Sequence, residues 1–229
     1  MNVMDFSNIK PMQKYSVKSQ EVLDKIPSDF PRELHIKFGT KKNPAIIRKI
    51  YNETVVADCN SYVVVEVPTD IIAAHTSTVK ICKGIAASVT ATKKACVIVY
   101  DDLPDVTLYG RATAQLHGNA HVVAYEESYA VAWDDSWVLA CDCSSVSAHR
   151  NATVFAQNQA RVDAATNSNI NATDDSYIIA RDSSRVKASG RSIVKARENS
   201  TIMACDNVKV YVGCGNPKVM TSGNSQIFE

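Results

Sequence analysis

Several things are scarce in this chain of 229 residues. Aromatic side chains make up only 7% of it, so its core cannot be a cluster of large interlocking rings. The formal net charge is +1, which removes any global pull toward nucleic acid or an anionic lipid surface. Charged residues, at 21%, are too few and too balanced for a disordered polyelectrolyte. No stretch approaches the ~20 apolar residues of a spanning helix, and the first residues hold no apolar signal core. A soluble chain that stays in the cytoplasm, away from membranes, is expected. The one charge asymmetry lies in residues 1–50, where ten Lys/Arg face five Asp/Glu.

Recognisable chemistry is scarce too. The 7 cysteines are an odd number, and most fall where the chain wants a small residue, so free thiols are expected. Cys141-x-Cys143 has no second pair at zinc-finger spacing. His75, His117, His121 and His149 lack a companion nucleophile. Gly213-Cys214-Gly215-Asn216 reads as a turn, since no GK(S/T) follows it. Asn52, Asn151, Asn171 and Asn199 fit N-x-(S/T) but would stay unmodified in the cytoplasm. The sequence therefore points to no catalytic, cofactor-binding or metal-ligating residue, and to no enzyme.

What is present is a beat. From Ala120 through Ser128, Ser136 and Ser144 to Ser200, a small residue recurs every eight positions. Two residues on stands Val or Ile (once Ala130), and two further on alanine, giving (S/A)-x-(V/I)-x-A-x-x-x. Strict alternation over five residues is a strand signature, and it would scatter the apolar side chains around a helix. The other three positions hold turn formers such as Asp134-Asp135, Asp174-Asp175 and Asp206-Asn207. With insertions of one or two residues the beat extends back to Glu53 and forward to Ile227. No unit can bury its inner face alone, but stacked coils can.

The fold expected is all-β: a parallel β-solenoid (β-helix) over 53–229, preceded by a small N-terminal α/β cap over 1–52. In the cap, Val17–Ile26 has helical spacing ended by Pro27 and Pro31, and Leu34, Ile36 and Phe38 alternate as a strand. Three octads per coil make the outward columns chemically coherent, because Val131, Phe155, Ile179 and Met203 then align, as do Tyr129, Thr153, Tyr177 and Thr201. That spacing predicts a triangular prism of 24-residue coils, about seven of them, on the order of 34 Å long.

Three surfaces follow from that triangular expectation. Tyr129, Val131, Phe155, Tyr177, Ile179 and Met203 form an apolar strip, covered either by the N-terminal segment or by a partner. Arg161, Arg185, Lys187 and Lys209 form a basic patch interleaved with Trp137 and Tyr211, which is either a solvated face or a grip on nucleic acid. Asp134, Asp182 and Asp206 share a corner, either as turn residues or as a carboxylate set for a divalent ion or for glycan cleavage.

The octad resembles the repeats of phage, prophage and gut-bacterial β-solenoid proteins. It is also similar to the S-x-L-T-A octads of bacterial ice-nucleation proteins, with Ser144-Ser145-Val146-Ser147-Ala148 the nearest match. The threonine ladders that accompany ice nucleation are absent, so that activity is not implied. The resemblance implies a solenoid and a phage accessory role. The leading expectation is a rigid binding scaffold acting on another protein, such as a host-defence protein that it inhibits. A fibre-like assembly protein that forms homo-oligomers and a glycan-cleaving solenoid are the alternatives.

Overall fold

The computed structural model describes residues 14–100 and 104–229, so residues 1–13 of the expected cap lie outside it. Each octad supplies one short strand, such as Trp137–Ala140 or Thr153–Ala156, whose second and fourth side chains are buried. From Asp105–Leu108 to Ile193–Glu198, four residues link each strand to the next. Ser144 N–H donates to the Cys141 carbonyl at 3.0 Å, and Ser128 N–H to the Tyr125 carbonyl at 3.2 Å. The residue after the first in each turn is left-handed, as at Glu126, Asp134, Asp142 and Asp174. The small residue that sets the beat, Ser136 or Ala152 for example, faces inward at the corner and is fully buried.

So tight a turn reverses the chain outright, and two of them close a coil. Parallel ladders accordingly join residues 16 apart: Val122 to Val138, Val138 to Val154, Val146 to Val162. The result is a flattened parallel β-solenoid of two facing sheets. Sheet A has 13 strands and sheet B has 12, filled by alternate octads. The triangular prism with 24-residue coils is therefore corrected. A three-sided coil needs shallower corners than these left-handed reversals make. Twelve strand spacings of about 4.8 Å give sheet A a length of about 58 Å, well beyond the 34 Å expected.

The corners explain why aspartate recurs there. A left-handed residue directs its N–H along the solenoid axis, where no strand can accept it. The carboxylate of the residue 16 further on does so: Glu126 accepts from Gly110 at 2.5 Å, Asp174 from Asn158 at 3.0 Å and Asp182 from Thr166 at 2.9 Å. Each acid thus satisfies a backbone donor of the coil before it. Hydrogen bonding from the Thr166 N–H holds the Asp182 carboxyl below the ordinary carboxylate range.

The N-terminal segment is built into the same two sheets. Tyr15–Val17 and Leu34–Ile36 open sheet A, and Ala45–Ile47 opens sheet B. Between them lies the helix Gln20–Lys25, capped by Ser19, whose hydroxyl accepts from Val22 N–H at 3.3 Å. Leu23, Ile26 and Phe30 seal this end of the core, and Tyr51 donates its hydroxyl to the Leu23 carbonyl at 3.1 Å. Gln20 does a strand's work at the open edge of sheet B. Its side-chain oxygen accepts from Ile46 N–H at 2.8 Å, and its amide donates to the Ile46 carbonyl at 2.9 Å. That occupies the edge groups another chain would otherwise pair with.

Candidate binding site

Because alternate octads lie on opposite sheets, the expected apolar strip divides. Tyr129, Val131, Tyr177 and Ile179 face out from sheet B, whereas Phe155 and Met203 face out from sheet A. The expected basic patch divides likewise, with Arg161 and Lys209 on sheet B and Arg185 and Lys187 on sheet A. Of the acidic column, Asp134 and Asp182 lie on one corner, separated by Arg150 and Thr166, while Asp206 lies on the other. The three carboxylates do not converge.

In place of the expected strip, sheet A brings together residues the sequence reading had kept apart. Val123, Leu139 and Phe155 are successive rungs of one outward column. Beside them stand His121 and Trp137. The Trp137 ring lies 5.4 Å from Phe155, tilted, and 6.0 Å from His121, edge-on. His121 is exposed, the other four side chains are half-buried, and among the described residues no strand or helix lies over them. Further along the sheet the outward positions become Asn169 and Asn171, then Arg185 and Lys187, then Thr201 and Met203, then Lys218 and Met220. None of the outward strand positions from His121 to Met220 is acidic. Arg185, Lys187 and Lys218 have no ion-pair partner among the described residues.

On sheet B the pattern is more broken. Asp163 receives a two-pronged contact from Arg181, and Lys195 lies over the Tyr177 ring at 5.6 Å. Ser145 and Ser147, then Arg161 and Asp163, stand between the two Tyr/aliphatic pairs, so no apolar run forms there.

Two further clusters emerge that the sequence reading did not find. Along one corner Tyr100, His117, Trp133 and His149 stack with ring centroids 5.5, 4.7 and 5.6 Å apart. The 16-residue spacing of His117, Trp133 and His149 was the legible signal for it. Near the N-terminal end, Asp58 takes hydrogen bonds from His35 at 3.2 Å, His75 at 2.8 Å and the Cys59 N–H at 2.7 Å. Lys37 lies 3.7 Å away, the other His35 nitrogen meets Glu33 at 2.8 Å, and Lys93 meets the other His75 nitrogen at 2.9 Å. Burial alone would raise the Asp58 carboxyl, but the donors from His35, Cys59 and His75 outweigh it and hold the carboxyl at about 2. At Asp134 the Arg150 guanidinium, with the Gly118 N–H, pulls in the same direction. These arrangements knit coils together, and each carboxylate is already occupied by protein donors.

Among the described residues no group of three or more His, Cys, Asp or Glu is placed to hold a metal ion, and no helix is long and apolar enough to cross a membrane. All seven cysteines are free, and burial pushes the Cys141 thiol up. In comparisons with known proteins, the chain matches no family model, no curated protein and no solved structure.

Proposed function

We propose that this protein is a rigid, non-enzymatic scaffold that binds another protein through the outer face of sheet A. The observation that carries the reading is the cluster of Val123, Trp137, Leu139 and Phe155, a contiguous apolar and aromatic surface on an open sheet. Interface cores are enriched in aromatic residues, Met and Arg, and a few such residues carry most of the binding energy. From Trp137 to Met220 the outward face of sheet A includes Trp137, Phe155, Arg185, Met203 and Met220. The solenoid contributes stiffness: every rung of sheet A from Trp137 to Thr201 is fixed by ladder bonds to two neighbours, so the face is presented with little ordering cost on binding. The likeness of the octad to phage and prophage arrays supports a phage accessory role, with a host-defence protein as the partner. Seven free thiols support a cytoplasmic setting.

Trp137→Asp and Phe155→Asp are the tests. Both side chains are outward, so the circular dichroism spectrum and melting temperature are expected to stay close to those of the parent. Capture of the partner, or self-association seen by light scattering, is expected to fall at least about 30-fold, the range of a central aromatic anchor. Unaltered association in both variants would place the interface elsewhere.

A further inference from the structure

The apolar cluster on sheet A is continuous with a groove of about 410 Å³ that runs along the solenoid axis. One wall is the outward column Asn171, Lys187, Met203 and Met220, and the other is a corner column of small residues that includes Ser189 and Cys205. Four rungs span about 14 Å, the length of roughly four extended residues. The groove is floored and walled largely by apolar atoms, and Met203 and Met220 stand 46% and 56% exposed. Such unbranched, polarisable side chains adapt to an apolar guest.

On the sheet side of this groove the charge is of one sign. Arg185 and Lys187 share the strand Arg185–Ala188, Lys218 lies two rungs on, and none has an ion-pair partner among the described residues. The acids lie on the corner side of the groove, where Asp174 meets Thr173 and accepts from the Asn158 N–H, and Asp206 meets Cys205 and accepts from the Gly190 N–H. The sheet therefore offers uncompensated cations flanking an apolar trough.

We infer that this groove takes an extended segment of the partner in which carboxylate side chains alternate with apolar ones. The inference rests on the scaffold reading and names the chemistry of its partner. In an extended segment alternate side chains point to opposite sides, about 6.8 Å apart along one side. Laid along the axis on the rim formed by Met203 and Met220, such a segment would turn apolar side chains into the trough and carboxylates toward the sheet face, where Arg185, Lys187 and Lys218 stand. A peptide suits the site better than a nucleic acid. The aromatic rings at Trp137 and Phe155 pack on each other, and the groove is lined by methionine, which gives bases no stacking platform.

The probe is a short, end-capped, fluorescein-labelled peptide alternating glutamate with leucine, followed by anisotropy. Binding is expected to weaken with added salt. It should drop at least about tenfold in the double variant Arg185→Glu, Lys187→Glu, and also in Met203→Asp. The same peptide with lysine in place of glutamate should not bind. Outward positions of a sheet tolerate such changes, and the circular dichroism spectrum of each variant verifies its fold. No binding of the glutamate peptide, equal binding by the charge-reversed variant, or tighter binding of oligothymidylate would each overturn the inference. Those outcomes leave the scaffold reading intact if Trp137→Asp still abolishes partner capture. If Trp137→Asp leaves capture unchanged, the scaffold reading itself fails.

Discussion

Asp58→Ala is expected to destabilise the protein by about 3 kcal/mol, because it leaves the buried His35 without its acceptor and frees the half-exposed His75. His35 is only 6% exposed, and the Cys59 N–H loses its partner in the same step. The same carboxylate predicts an acid limb of unfolding. Its folded-state value of about 2 lies below its ordinary 3.8, so its contribution is complete above 3.8 and disappears as the pH falls through 2. The loss amounts to at most about 2 kcal/mol. Asp58→Asn has no such titration, so its stability should change less than the parent's over that interval. Denaturant unfolding at about pH 5 and about pH 2 measures both effects. A cost under about 1 kcal/mol for Asp58→Ala would mean the cluster is solvated and holds little together.

Ala156→Leu is expected to cost about 3 kcal/mol, at the upper end of what overpacking does. Ala156 is fully buried between the sheets, and its ladder neighbours Ala140 and Ala172 are buried too. From Val138 to Ala204 each coil opposes a Val or Ile and an Ala on one sheet to the same pair on the other. The spacing between the sheets is therefore set by those volumes along the whole stack. A leucine has no room unless the sheets separate, and separation at one rung strains the rungs on either side. Thermal melting should show a lower and broader transition, since a stack can open locally from the damaged coil. A change under about 0.5 kcal/mol would mean that the space between the sheets is loose.

How much of this was legible follows from where physical constraint lies. The strand alternation was legible because Val138, Val154 and Val162 must face inward and Ala140, Ala156 and Ala164 must be small. The number of octads per coil was not, because it was sought on outward positions. Side chains such as Val131, Phe155, Ile179 and Met203 face solvent on a flat sheet, so nothing in the packing ties their identity to the coil. The constrained period sits at the corners. Gly110, Glu126, Asp142, Asn158, Asp174 and Gly190 are all left-handed, and Glu126, Asp142 and Asp174 also accept from the coil before. Read at 16 residues, that column and the series His117, Trp133, His149 give the two-octad coil directly. The Asp58 cluster had no such signal. His35 and His75 are 23 and 17 residues from Asp58, spacings set by the irregular chain before the array.

The two-octad coil is the central claim, since it alone brings Trp137, Phe155, Arg185 and Lys187 onto one face. Spin labels introduced at Thr78 and Lys209 through non-cysteine chemistry test it without touching the native thiols. Both positions face out from sheet B and are joined by eight successive ladder steps. A pulsed dipolar distance centred near 38 Å, eight spacings of about 4.8 Å, is the predicted result, and a distance near 26 Å, as three octads per coil would give, would contradict it.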